Sequence, residues 1–180
     1  MGRTLVHVSM SLDGFIAGPD HSMDWIFDYA GPNAEVDDVI ATTGAILSGR
    51  RCYDVGRDTS APEETNEPFG GAWSGPQFVL THNPPADETD PSIRFLDCPV
   101  AEAVATAHAA AGGGNVLILG ANVVQQCLDA GLVDDVLIHI APVLIGEGTR
   151  LFGPVARHIK LEPVSVTRAG KVANLRFALR

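Results

Sequence analysis

The sequence is poor in cysteine and in basic side chains, and it has no long apolar run. Its three cysteines, Cys52, Cys98 and Cys127, are scattered and odd in number, which suits free thiols in a reducing compartment better than a disulfide framework. No stretch approaches the roughly 20 apolar residues of a membrane-spanning helix. The N-terminus lacks the charged segment, apolar core and cleavage site of a secretion signal, so a cytoplasmic location is expected. Twelve Lys and Arg stand against 22 Asp and Glu, a formal charge of −10, and this argues against extended nucleic-acid binding, which needs a basic footprint. Neither a GxGxxG fingerprint nor a P-loop occurs. Paired Cys-x-x-Cys and His-x-Glu signatures are missing too, so neither zinc nor deamination is expected.

What is present is enough chain for one core: 180 residues, 46% hydrophobic and 19% charged, read as a single domain over 1–180. The organising stretch is Asn115 to Gly148. Val116 to Leu119 reads as a buried strand, Gly120 as a tight turn, and Asn122 as the cap of a helix with Val123, Val124, Cys127 and Leu128 on one face. Gly131 ends that helix, and Asp134 to Ala141 is a second strand, with Val136, Ile138 and Ile140 alternating against Leu137, His139 and Ala141. A helix that opens directly after a strand and a glycine turn offers its free N–H groups to phosphate, so a nucleotide cofactor is the first functional expectation.

Ahead of this unit, Thr4 to Met10 reads as a strand broken by Ser11-Leu12-Asp13-Gly14. Phe15-Ile16-Ala17 is again apolar, and the loop that follows closes on Met23-Asp24-Trp25. Trp25 and Phe27 either fold over a flat ligand or belong to the core. Asn33 is expected to cap a helix with Val36, Val39 and Ile40 facing inward, ended by Gly44, before the strand Ala45 to Ser48. Then Arg50, Arg51 and Arg57 fall within eight positions. They form either an anion site, since arginine forks onto phosphate oxygens, or a solvated basic helix face.

Asp58 to Pro76 reads as a long surface loop, a lid or an interface, with Trp73 in either role. Strands are expected at Gln77 to Thr81 and Ile93 to Leu96, then a helix from Pro99 to Ala111 with Val100, Ala103, Val104 and Ala107 inward. Gly112-Gly113-Gly114 is a connector, because a phosphate-binding glycine loop must follow a strand and open a helix. Leu161 to Thr167 and Lys171 to Leu179 form a terminal antiparallel hairpin across Ala169-Gly170. The count is eight strands with at least three helices, a mixed-sheet α/β protein. Histidines on strands, such as His7 and His139, read as hydrogen-bonded packing residues.

Taken in order, Ser11-Leu12-Asp13-Gly14-Phe15-Ile16-Ala17, Gly49-Arg50-Arg51, Val79-Leu80-Thr81-His82, Gly120-Ala121-Asn122, and Gly131-Leu132-Val133-Asp134 through Pro142-Val143-Leu144 resemble the dihydrofolate reductase-like superfamily. Within it, the chain is similar to stand-alone proteins of the type of the C-terminal reductase domain of the bifunctional riboflavin biosynthesis deaminase-reductase. The resemblance implies a mixed eight-stranded sheet flanked by helices, a homodimer, and NADPH bound across the C-terminal strand edges. Carried over by position, Gly49 and Arg50 lie near the 2′-phosphate with Arg51, and Thr81 and His82 near the adenosine half. Gly120, Ala121, Asn122 and Val123 lie at the pyrophosphate. Ile16 and Ala17 lie at the nicotinamide, and Asp13 and Trp25 on the substrate side.

The implied activity is NADPH-dependent reduction of a small heterocycle, of the 5-amino-6-(5-phosphoribosylamino)uracil reductase type. Reduction of dihydrofolate, a pterin or another carbonyl, or nucleotide binding without catalysis, are the alternatives. The chain departs from the family at Leu119, where a glycine usually precedes Gly120. It departs again at Cys52, where a hydroxyl residue often meets phosphate, and in having no acid in register after Trp25, Asp28 being near only in sequence.

Overall fold

A computed structural model describes residues 2–57, 67–154 and 158–180. Strands β1 (Thr4–Ser11), β3 (Thr43–Gly49), β4 (Gln77–Leu80), β5 (Ile93–Leu96), β6 (Asn115–Leu119), β7 (Asp135–Ala141), β9 (Leu161–Ala169) and β10 (Val172–Leu179) form one sheet in the order β5-β4-β3-β6-β1-β7-β10-β9. These are the eight strands read from the sequence. The inner pairs are parallel, and the β9–β10 hairpin joins β7 antiparallel. A second, two-stranded sheet was not expected: β2 (Phe15–Ala17) pairs with β8 (Thr149–Arg150). At three and two residues these strands are too short to show a period.

Helices α1 (Ala34–Thr42), α2 (Arg50–Gly56), α3 (Val100–Ala110) and α4 (Ala121–Asp129) cover the sheet on both faces. On one face, Val6, Leu47, Val116 and Ile118 pack under Ala103, Val104 and Ala107 of α3 and Val124 and Cys127 of α4. On the other, Leu5, Ile46, Leu117 and Leu137 pack under Val39 of α1 and Trp73. Burial on both faces explains why β6 reads as a continuous apolar run.

Three local readings are corrected. Gly44 does not end α1; it lies inside β3, where a Cβ would come 2.1 Å from the Ala111 carbonyl oxygen, so it serves close approach of the chains. Asn122 does not cap α4. Gly120 holds that position at φ 89°, a conformation open to glycine, and the Asn122 side chain instead accepts from Gln126 Nε2 within the helix. Trp73 is neither lid nor interface, for it is buried with its indole N–H donating to the Thr43 carbonyl at 2.9 Å. The rest of the expected 58–76 loop lies outside the described residues up to 66, and Pro68–Gly71 forms a short helical turn. Gly131 closes α4 as expected, with its N–H on the Leu128 carbonyl and the Leu132 N–H on the Cys127 carbonyl.

Candidate functional site

Parallel pairing sets the C-terminal ends of β3, β4 and β6 side by side, with Ser48 opposite Leu119 and Gly49 opposite Leu80. In open α/β sheets this edge is where ligands bind. Helices α2 and α4 both start there, from Gly49 and Gly120, and the two glycines face each other's helix. A Cβ on Gly120 would lie 2.8 Å from Cys52 Sγ, and one on Gly49 would lie 3.3 Å from Val123 Cγ2. The first amides of α4, at Ala121, Asn122 and Val123, precede the first intrahelical bond, which runs from the Val124 N–H to the Gly120 carbonyl. Ala121 is half-buried, Asn122 exposed and Val123 buried, so Val123 contributes backbone and wall while its side chain belongs to the core. Cys52 is a thiol here, its acidity suppressed by burial.

The arginine cluster is already partly engaged. Arg50 Nε donates to Asp54 at 2.6 Å and its Nη1 to the Asn83 carbonyl; Arg57 pairs with Glu88, which also accepts from the Tyr53 hydroxyl at 2.7 Å. Arg51 is exposed and, among the described residues, makes no ion pair. Of the three arginines read as an anion site or a solvated basic face, Arg50 and Arg57 are thus held by Asp54 and Glu88, while Arg51 makes no ion pair among the described residues. Thr81 turns its hydroxyl to the Asn83 N–H at 3.1 Å, and exposed His82 meets Asp97 at 2.5 Å, so both shape the turn after β4.

On the other side of the edge, Ile16 is half-buried against the core and Ala17 is buried in β2. Asp13 is fully occupied: it accepts from the Ser11 hydroxyl at 2.6 Å, from the Gly146 N–H at 2.8 Å and from the Ile145 N–H at 3.1 Å. These donors, Ser11 foremost, hold its carboxylate down to about 2. Asp13 therefore clamps the loop after β7. Trp25 and Phe27 of the Asp24–Tyr29 turn are both outside the core: Phe27 is 41% exposed and Trp25 half-buried. The Trp25 Nε1–H is buried with no hydrogen-bond partner among the described residues.

His7 and His139 are hydrogen-bonded packing residues, as read from the sequence, but they belong to a polar row on the α1 face that sequence reasoning missed. His7 and His139 meet through their Nε2 atoms at 2.6 Å, His139 Nδ1 lies 2.6 Å from Asn174 Oδ1, and the Asn174 and Asn33 side chains pair reciprocally at 3.0 Å. The signal available was His139 breaking an apolar run; its partners lie 132 and 35 positions away. Burial, then the neighbouring imidazole, drives the His7 basicity down to about 3, and burial lowers that of His139. A cavity of about 220 Å³ opens at the end of this row, lined by Asn33, Glu35, Thr167 and Asn174 among others.

Among the described residues, no cluster of three or more His, Cys, Asp or Glu could hold a metal ion, and no helix is long and apolar enough to cross a membrane. The strand order, the paired helix starts at the C-terminal edge and the closing hairpin define a dihydrofolate reductase-like α/β fold. The chain belongs to the RibD C-terminal domain family, whose profile matches residues 65–175. It is 28% identical over 168 residues to the uncharacterized protein YyaP of Bacillus subtilis, covering 91% of this chain and 87% of that one.

Among solved structures it resembles a Shewanella sp. PV-4 protein provisionally assigned to riboflavin biosynthesis, at a TM-score of 0.81 and 20% identity over 99% of both chains. It also resembles the diaminohydroxyphosphoribosylaminopyrimidine deaminase/5-amino-6-(5-phosphoribosylamino)uracil reductase of Thermotoga maritima, at a TM-score of 0.69 and 16% identity, over 99% of this chain and 57% of that one. At such identities the structural likeness speaks for the fold.

Proposed function

We propose that the chain is an NADPH-dependent reductase of a small heterocyclic substrate, of the 5-amino-6-(5-phosphoribosylamino)uracil reductase type. The observation that carries the reading is the pair of helix starts at the C-terminal strand edge, where Gly49 and Gly120 let α2 and α4 approach so closely that a Cβ on Gly120 would meet Cys52 Sγ at 2.8 Å. The start of α4 suits a diphosphate: the amides of Ala121, Asn122 and Val123 have no intrahelical acceptor, and the helix dipole favours an anion there. Arg51 is the exposed cation for a 2′-phosphate, with Arg50 and Gly49 behind it and Thr81 and His82 on the adenosine side.

When bound, such a cofactor supplies hydride from its nicotinamide ring. This chain's own residues orient and shield. Ile16 and Ala17 give an apolar wall at the C-terminal edge, Asp13 fixes the loop after β7, and the Trp25 indole N–H is a buried donor whose missing partner a substrate acceptor would supply. Asp28 is exposed, which does not favour the dihydrofolate alternative. A homodimer in the cytoplasm completes the proposal; Val164 and Val166 on β9 are 58% and 69% exposed and offer an apolar face for a second copy.

The test is a titration of purified protein with NADPH and with NADH, followed by energy transfer from tryptophan to the reduced nicotinamide, then turnover of the ribosylaminopyrimidine. Saturable transfer favouring NADPH is expected. Binding of neither nucleotide overturns the reading.

A further inference from the structure

Residues 19–31 link β2 to the cap of α1, and this arm is bracketed by two Gly-Pro pairs, Gly18-Pro19 and Gly31-Pro32. The observed backbone uses neither glycine's freedom. Gly18 has φ −78°, and Gly31 also lies outside the left-handed region. A Cβ on Gly18 would meet nothing nearer than the Ser22 carbonyl oxygen at 3.7 Å, an ordinary contact, and one on Gly31 would meet nothing within 4 Å. In this position alanine would serve at both ends of the arm and would lose less conformational entropy on folding. What the two glycines add is backbone range that the observed position does not need.

The arm is also loosely held. Its backbone bonds are local: the Ser22 N–H to the Pro19 carbonyl, the Ile26 N–H to the Met23 carbonyl and the Ala30 N–H to the Phe27 carbonyl. Among the described residues, its one hydrogen bond to the chain outside 18–31 joins His21 Nδ1 and the Thr149 hydroxyl at 3.4 Å, and Lys171 Nζ stands 5.9 Å from the Tyr29 ring centroid. The flanks differ. The Leu12 N–H reaches the Val143 carbonyl at 2.9 Å, the Leu151 N–H reaches the Gly14 carbonyl at 3.1 Å, and Asn33 pairs with Asn174. A weakly tethered arm thus runs between two fixed ends.

The arm gains little from lying where it does. Met23 and Phe27 are 39% and 41% exposed, and among the described residues no part of the arm joins either face of the core. The Trp25 indole N–H is buried without an acceptor, and His21 holds φ 64°, which crowds a residue that has a Cβ. Apolar area left in water, an unmet donor and a left-handed residue all ease departure from this position.

We propose that residues 19–31 form a lid hinged at Gly18 and Gly31, which brings Met23, Trp25 and Phe27 over a nicotinamide cofactor held at the C-terminal strand edge. The turn after β1 and the loop after β7, bonded to each other, stay fixed while it closes. The closure half rests on the reductase reading; the hinge half does not.

Hydrogen exchange of the full chain, read peptide by peptide, tests the hinge half with no ligand present. The 19–31 amides are expected to exchange about tenfold faster than those of 11–18 and 143–151. Gly18→Ala with Gly31→Ala should keep or raise the urea midpoint, because the observed position has room for both methyl groups, and should slow exchange across 19–31. Equal exchange in arm and flanks of the wild type, or arm exchange unchanged in the double variant, overturns the hinge. A lowered midpoint overturns it too, since the glycines would then serve the observed position.

NADPH is then added to saturation, its uptake followed by energy transfer from tryptophan to the reduced nicotinamide. Exchange across 19–31 should slow about tenfold in the wild type. Bound NADPH with an unchanged arm overturns the closure half. Failure of the wild-type chain to take up NADPH removes the reductase reading and the closure half with it, while exchange in the free chain still decides the hinge.

Discussion

Cys52 Sγ lies 2.8 Å from the point where a Cβ on Gly120 would sit, so the two residues exclude one another's growth across the α2–α4 seam. Gly120→Ala is expected to destabilise the fold by about 1–3 kcal/mol through this overlap and the positive φ together. Replacing Cys52 by Ala in the same chain should return the steric part and leave the conformational part. Urea unfolding of the wild type, both single variants and the double variant measures the coupling; strict additivity would mean that the contact carries no energy.

Arg50 and Arg51 are expected to differ. Arg51→Ala should weaken NADPH by about tenfold and leave NADH nearly untouched, since a charge-assisted bond to a phosphate contributes roughly 1.5–3 kcal/mol. Arg50→Ala should have the smaller effect on NADPH, because Asp54 already holds its guanidinium. Equal losses for both nucleotides in Arg51→Ala would remove that residue from the 2′-phosphate.

The histidine pair sets an acid limit on stability. His7 is lowered to about 3 in the fold, against 6.5 for the free side chain, and His139 is lowered as well. Below pH 6.5 the unfolded chain therefore binds more protons than the folded one. The stability is full above about 6.5 and falls as pH drops towards 3, by up to about 1.4 kcal/mol per pH unit for each imidazole. Urea midpoints between pH 7.5 and 4.5 check this, and His7→Leu should flatten the curve. Asp13, at about 2, loses its contribution only below this window.

Asp13→Ala should release the loop after β7 without disturbing the sheet. Faster hydrogen exchange at the Ile145 and Gly146 amides, with β7 protection intact, is the expected result. Unchanged exchange at both amides would show that other contacts hold the loop.

Sedimentation should report a mass of about twice the 18.9 kDa chain, and Val164→Lys with Val166→Lys should halve it. A wild-type mass near that of one chain would contradict the homodimer.

How far the sequence carried these conclusions differs by level. The eight strands were legible because β6 is apolar throughout and β10 alternates, and both patterns follow from which faces are buried. Asn33 was legible as a cap, since a cap acts within three residues. Its second role, in pairing with Asn174, was not, because that contact spans 141 positions. The Arg50–Asp54 pair was within reach of the sequence, standing four apart on a helix, yet three clustered arginines drew the reading towards an anion. Asn122 was misplaced by one turn element: Gly120 itself supplies the cap position, and no side-chain oxygen is needed there.

The outermost strand also carries Pro163, which has no N–H to offer, and the β9–β10 register shifts beside it, between Arg176 and Phe177. A further strand laid along that rim would find its ladder interrupted, so the rim is a poor template for head-to-tail growth. The proposed homodimer, through the flat of the hairpin, would be a two-fold pairing that closes at two copies. In that proposal pairing, which ends, uses a different surface of the hairpin from strand-to-strand growth, which does not.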